Sequence, residues 1–169
     1  MTIRVTEVLV RAGLIDASFY TELGKIRGSY VHRACELDDL GQLDESTVDE
    51  QIRGRLEAWR RFKSDFRPTF TAIEHRIDSP ALGLSGQPDR IANDDAGAWI
   101  IDLKSGGEAP WQGVQLGGYA YLHGWKPRIT NVYLRESGTY SMRDWSLREN
   151  EALFLAAFRI ARWKQENGL

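Results

Sequence analysis

Residues Leu84 to Gly106, LSGQPDRIANDDAGAWIIDLKSG, constrain the fold more than any other stretch of the chain. They predict two strands joined by a polar turn. The first strand covers Gly83 to Ala92, and Asn93-Asp94-Asp95-Ala96-Gly97 supplies residues that tolerate tight or left-handed backbone. The second strand is Ala98 to Lys104. Successive strand side chains point to opposite faces, so Trp99, Ile101 and Leu103 share one face and Ile100, Asp102 and Lys104 share the other. An acid and a base thus stand together on an otherwise apolar strand, where burial is costly without partners. Asp89, on the neighbouring strand, reaches the same face. Two carboxylates and an ammonium converging on one point suit a hard divalent cation and an activated water. An Asp-x-Lys pair alone is more often a surface ion pair, so its companions along the chain carry the weight.

The chain's 169 residues suffice for one domain with a proper core, and a single domain over residues 1–169 is expected. A formal net charge of −2 gives no general attraction to nucleic acid, so an anionic partner must be met by a local patch. The single cysteine, Cys35, excludes an intrachain disulfide, a four-cysteine zinc site and a cysteine-ligated iron–sulfur cluster. A reducing, cytoplasmic location is the simplest expectation. No apolar run approaches membrane-spanning length, and the N-terminus lacks a signal-peptide pattern.

Along the chain, residues 1–24 predict an irregular lead-in with a short helix after Asp16. Gly24 to Gly41 predicts a helix with Ile26, Tyr30, Val31, Ala34 and Leu37 as its apolar stripe, and with His32 and Glu36 sharing a face beside it. Asp44 to Phe66 predicts the longest helix, with Ser46 or Thr47 and Glu50 as a capping box. Its second half carries Arg53, Arg55, Arg60, Arg61, Lys63 and Arg67 against Glu57 and Asp65, a face that suits phosphate tracking and equally suits plain solvation. Pro68 to Asp78 predicts a strand containing Glu74. Pro110 opens a helix from Trp111 to His123, in which Gln115 and Tyr119 share a face, Gly117-Gly118 predict either close backbone packing or contact with something brought in from outside, and Gly124 predicts the C-cap. Arg128–Arg135 and Thr139–Trp145 predict two further strands. Ser146 and Glu149 open a last helix reaching to Gln165, with Leu153, Phe154, Ala157, Phe158, Ala161 and Trp163 as its buried stripe. The order predicts an α/β (mixed α+β) fold, a mixed sheet with helices on its faces.

Taken in order, Gly28-x-x-x-His32, Glu74, Gly86-x-x-Asp89, Asp102-Leu103-Lys104 and Gln115-x-x-x-Tyr119 resemble the PD-(D/E)XK nuclease superfamily, specifically its RecB-like exonuclease branch. The resemblance runs from Gly28 to Tyr119. The Asp-x-Lys signature is weak by itself; all the motifs in order, on the expected elements, are strong. The resemblance implies a restriction-endonuclease-like core with a central mixed sheet. It implies Asp89, Asp102 and the Leu103 carbonyl as oxygen ligands of Mg²⁺ or Mn²⁺, with His32 completing the sphere and Glu74 binding a second metal or supporting the first ligands. It implies a catalytic set of Asp89, Asp102, Lys104, Gln115 and Tyr119. Lys104 would orient or deprotonate the attacking water, and Gln115 and Tyr119 would position DNA phosphate or the lysine. Relatives that carry an iron–sulfur cluster use four cysteines around this core, which Cys35 alone cannot supply.

The expected function is that of a metal-dependent deoxyribonuclease. An exonuclease is favoured over a sequence-specific endonuclease, because little chain remains outside the core to build a base-reading module. DNA contacts are expected from Arg53, Arg60, Arg61 and Lys63, with Trp111 as a base-stacking platform. The resemblance suggests phage-type DNA recombination, replication or repair beside a separate recombinase, helicase or single-strand-binding protein, with no membrane partner. The alternatives are a nucleic-acid-binding module on the same fold without turnover, a structure-specific endonuclease, and a metal protein with no nucleic-acid role.

Overall fold

The computed structural model describes residues 2–16 and 21–169, and the helix expected after Asp16 falls on residues outside that set. At its centre is β6 (Gly97–Lys104), buried from Trp99 to Leu103. Around it a five-stranded mixed sheet runs in the order β2 (Thr69–Ile73), β5 (Arg90–Asp94), β6, β7 (Arg128–Leu134) and β8 (Tyr140–Asp144). The β6–β7 pair is parallel and the others are antiparallel. A parallel pair needs a crossover, which α4 (Trp111–His123) provides.

The alternation read from β6 sorts the two cores. Trp99, Ile101 and Leu103 pack with α2 (Glu22–Asp39) and α3 (Glu50–Phe66) on one face. Ile100 packs on the other face with α1 (Val5–Ala12), α4 and α5 (Leu147–Glu166). The α4–α5 contact is as close as Gly117-Gly118 predict. A Cβ on Gly117 would lie 2.5 Å from the Asn150 carbonyl carbon, and one on Gly118 2.6 Å from the Phe154 ring.

The structure corrects the expected strands. A second, smaller sheet has the order β1 (Ile3–Arg4), β4 (Leu84–Gly86), β3 (Ile77–Ser79). The single strand expected over Pro68–Asp78 is therefore two, β2 and β3, in different sheets, broken at Glu74, whose φ of 48° is left-handed. The strand expected over Gly83–Ala92 is likewise β4 and β5, broken at Gln87-Pro88-Asp89, where proline has no N–H for a ladder. Both breaks fall on residues singled out for the site.

Helix boundaries and faces also shift. The lead-in contains α1, whose Val5, Val8 and Leu9 are buried. Asp49 caps α3 by accepting from the Gln51 amide, and Glu45–Thr47 forms a separate 3₁₀ turn, in place of the expected capping box. On α2 the buried residues are Val31, Ala34 and Cys35, while Ile26 and Tyr30 are 51 % and 63 % exposed. On α5, Leu153 and Trp163 lie off the buried stripe of Asn150, Phe154, Ala157, Phe158 and Ala161. No helix among the described residues is long and apolar enough to cross a membrane.

Candidate active site

The site forms where the two strand breaks meet α2 and the end of β6. His32 projects from α2 with its Nδ1 3.4 Å from Asp89 Oδ1 and 3.9 Å from Glu74 Oε1. One ligating atom from each of His32, Glu74 and Asp89 lies within 4.8 Å of the others. Asp89 is held from the sheet, because its Oδ2 accepts a hydrogen bond from the Leu103 amide at 2.7 Å. Its other oxygen is left facing His32. The Asp89 carboxylate pushes the His32 imidazole up to about 10. Burial works to raise the Asp89 carboxyl in turn, but the positive charges of His32 and Lys104 hold it below the usual carboxylate range. The spot therefore draws positive charge strongly.

Asp102 and Lys104 share the expected face. Asp102 is 3 % exposed, and burial pushes its carboxyl up to about 6. Its Oδ2 accepts from Lys104 Nζ at 2.7 Å and from Asn131 Nδ2 at 2.8 Å. Lys104 Nζ also donates to Gln115 Oε1 at 3.0 Å, and Gln115 Nε2 donates to Thr6 Oγ1 at 3.1 Å and to the Tyr119 hydroxyl at 3.2 Å. Burial raises the Tyr119 hydroxyl, so it stays protonated as part of this chain. The helical spacing of Gln115 and Tyr119 thus builds a bridge from α4 to the lysine rather than an isolated polar pair.

Several participants were missed in the sequence, most of them without a readable signal. Asn131 orients Asp102 while its Oδ1 accepts from Trp145 Nε1 at 2.8 Å; an amide inside the apolar run RITNVYL was the available clue. Gln87 Nε2 donates to Glu74 Oε2 at 3.0 Å. Arg90 is fully buried and reaches both Glu74 and the Asp89 carbonyl. Thr6 comes from α1, a helix the sequence reading did not resolve.

The residues expected to meet DNA are divided. Trp111 stands beside the site, with Lys104 Nζ 5.4 Å from its ring centroid, in a cleft of about 440 Å³ that His32, Leu103 and Arg27 also line. Arg53, Arg60 and Arg61 line a different hollow with Glu50, Glu57 and Asp65. There the basic face meets acids. Arg60 pairs with Asp38 at 2.6 Å, with Glu57 at 2.9 Å and with Glu45; Lys63 pairs with Asp38 and Asp39 at 2.7 and 2.6 Å; Arg53 pairs with Glu50 at 2.8 Å. Arg55 is buried against Glu136 at 2.7 Å.

Two carboxylates and an imidazole form a donor set of mainly hard character, so the residues present fit Mg²⁺, or Mn²⁺ with its greater tolerance of nitrogen. Among solved structures, the chain is similar to an alkaline exonuclease, LHK-Exo from Laribacter hongkongensis, at 15 % identity and a TM-score of 0.48, covering 99 % of this chain and 93 % of that one. The same exonuclease in complex with dAMP gives 14 % identity and a TM-score of 0.47 over the same shares. SSO0001 gives 15 % identity and a TM-score of 0.45, covering 97 % of this chain and 76 % of that one. No curated protein matches significantly in sequence. The sequence profile of the PD-(D/E)XK nuclease superfamily matches residues 12–166, nearly the whole length, and the chain belongs to that superfamily.

Proposed function

We propose that the protein is a divalent-metal-dependent phosphodiester hydrolase, a single nuclease domain that degrades DNA from its ends. The observation that carries this reading is the convergence of His32, Glu74 and Asp89 beside the Asp102–Lys104 pair. His32, Glu74, Asp89 and Asp102, with the Leu103 carbonyl, are the groups that would hold the ion. When bound, the ion supplies positive charge against the charge developing on phosphate and acidifies water.

The remaining work falls to the chain's own groups. Lys104 presents an ammonium next to the carboxylates, fixed by Asp102 on one side and Gln115 on the other. Held there, it orients the attacking water and stabilises charge on the phosphate in the transition state. Gln115 and Tyr119 act by holding the lysine, which their hydrogen-bond chain supports better than a direct phosphate contact. The Trp111 cleft takes the adjoining nucleotide by stacking. The RecB-like order of the motifs from Gly28 to Tyr119 supports the exonuclease reading.

End-labelled linear DNA, single- and double-stranded, and covalently closed circles, incubated with Mg²⁺, Mn²⁺ or EDTA, test the proposal. Metal-dependent release from linear ends, lost in Lys104→Ala, is expected. Cleavage of closed circles would replace the exonuclease by an endonuclease with the same chemistry. No cleavage of any substrate with either metal would sink the hydrolase reading.

A further inference from the structure

Asp39 lies seven positions after His32, about two helical turns, so both lie on one face of α2. His32 enters the metal cluster; Asp39 does not. Asp39 is the last residue of α2, the helix end where a carboxylate is least favoured. Its side chain is nevertheless fully buried, facing an Arg90 side chain that is also fully buried, with Arg90 Nε donating to Asp39 Oδ2 at 2.7 Å. Trp59 Nε1 donates to Asp39 Oδ1 at 2.9 Å, and Lys63 Nζ donates to the same oxygen at 2.6 Å. A buried ion pair of this kind contributes little net stability over well-packed apolar residues. Its value must be sought in what it holds.

Arg90 holds the far side of the cluster. One terminal nitrogen, Nη1, donates to Glu74 Oε1 at 3.1 Å and to the Asp89 carbonyl at 2.6 Å. That same carbonyl accepts from the Glu74 amide at 2.9 Å, fixing the left-handed turn that aims Glu74 at His32. The guanidinium also lies over the Trp59 ring, 5.6 Å from its centroid. A closed frame results, running from His32 along α2 to Asp39, through Arg90, and back to Glu74 and Asp89. Resting on the metal-centre reading above, we infer that Arg90 and Asp39 are positioning residues for the metal ligands, and that Trp59 and Lys63 of α3 buttress them.

Charge and geometry make opposite demands on Arg90. A cation beside a metal site weakens metal binding by repulsion; its fork strengthens binding by fixing Glu74 and Asp89. Arg90→Lys separates the two, since it keeps the charge facing Asp39 and removes the fork. The experiment is calorimetric titration of Mn²⁺, without DNA, into wild type, Arg90→Lys and Asp39→Asn, with thermal melting of each. Asp89→Asn reports loss of a ligand, and Phe158→Leu, in the opposite core, reports loss of stability alone. The expected result is a Kd raised about 10- to 100-fold in Arg90→Lys, hydrolysis recovering at high Mn²⁺, and Phe158→Leu binding like wild type. A Kd within twofold of wild type in Arg90→Lys, with a lowered melting temperature, overturns the inference while leaving the metal centre intact. Wild type and Asp89→Asn binding Mn²⁺ equally poorly overturns the metal reading and the inference with it. Should Arg90→Lys fail to fold, Asp39→Asn, which keeps the shape and removes the charge, decides by the same comparison.

Discussion

The chain carries two dense clusters of charge, and they are built differently. Around α3 the bases meet acids brought by neighbouring segments: Arg60 faces Asp38, Glu45 and Glu57, Lys63 faces Asp38 and Asp39, and Arg55 faces Glu136. At the site, Glu74, Asp89 and Asp102 converge on His32 and Lys104, and the one further base in contact, Arg90, is already bonded to Asp39. The first cluster neutralises itself. The second leaves positive charge to be supplied: Asp89 gives Oδ2 to the Leu103 amide and turns Oδ1 to His32, and Asp102 is held through Oδ2 by Lys104 and Asn131. Density of charge along a sequence therefore says little; a surplus of one sign, fixed by buried donors, is what chemistry can use.

The sharpest way to break this contrast is Lys104→Ala. Lys104 is fixed between Asp102 and Gln115, so its loss is expected to lower the rate of hydrolysis by about 10²- to 10⁴-fold, the range for a positioned acid–base group. Mn²⁺ affinity is expected to hold or rise, since a neighbouring cation is removed. A rate loss below tenfold in a single-turnover assay would place the chemistry elsewhere.

Next in size is a pH effect on the metal-free protein. His32 is raised from 6.5 to about 10 by the Asp89 carboxylate, so the folded state keeps a proton that the unfolded chain has lost. The stabilisation is complete below pH 6.5 and is lost as pH rises through 10. Between those limits stability is expected to fall by up to about 1.4 kcal/mol per pH unit. Mn²⁺ would take the proton's place, so its affinity is expected to rise over the same window and the slope of stability to flatten when it is present. Denaturant melts of wild type and His32→Gln with and without Mn²⁺ read both effects; an equal slope in the two proteins would detach His32 from the cluster.

Much of this was legible where local geometry decides. The β6 alternation assigned Trp99, Ile101 and Leu103 to one core and Asp102 and Lys104 to the other side, because a pleat fixes side-chain direction without tertiary help. Gly117-Gly118, costly in mid-helix, pointed to a close approach on α4 without naming α5 as the partner. The break at Glu74 was not legible, and although Pro88 marks a weak point in its strand, which sheet each half joins depends on β1 and the rest of the fold. Nor was α1, eight residues long, which is too short to be stable alone and is held by packing against α5. The basic run of α3 does not show its counter-charges in sequence, because Asp38 and Asp39 lie on another helix. Their pairing with Lys63 and Arg90 exists only once α2 and β5 have met α3.

A third test addresses the self-neutralised cluster as scaffold. A Cβ on Gly54 of α3 would lie 1.8 Å from the Glu136 carbonyl oxygen, so Gly54→Ala must push α3 away from the end of β7. Overpacking of this kind is expected to cost about 1–3 kcal/mol of stability. Hydrolysis and Mn²⁺ affinity at temperatures where the variant is folded are expected to stay within a few-fold of wild type. A loss of metal affinity as large as that of Arg90→Lys would tie the two clusters together more tightly than the hydrogen bonds through Asp39 require.

The smallest expected effects decide which surface DNA follows. Removing one partner of an exposed pair on α3, as in Arg53→Ala, is expected to cost no more than about 1 kcal/mol of stability. Its guanidinium is occupied by Glu50 and the Val48 carbonyl, so little of it is free for phosphate. Arg61 is exposed and makes no ion pair among the described residues, which makes it the fair test of α3. Arg27 lines the Trp111 cleft beside His32 and Lys104. On single-stranded DNA each phosphate contact adds about 0.7 to the steepness with which binding weakens as salt rises. Arg27→Ala is expected to reduce that slope by about 0.7, measured by fluorescence anisotropy on labelled single-stranded DNA in Ca²⁺, and Arg61→Ala to leave it unchanged. The opposite pattern would show that α3 keeps a phosphate-tracking edge despite its acids, and that counter-charges in the free protein exchange for phosphate when DNA arrives.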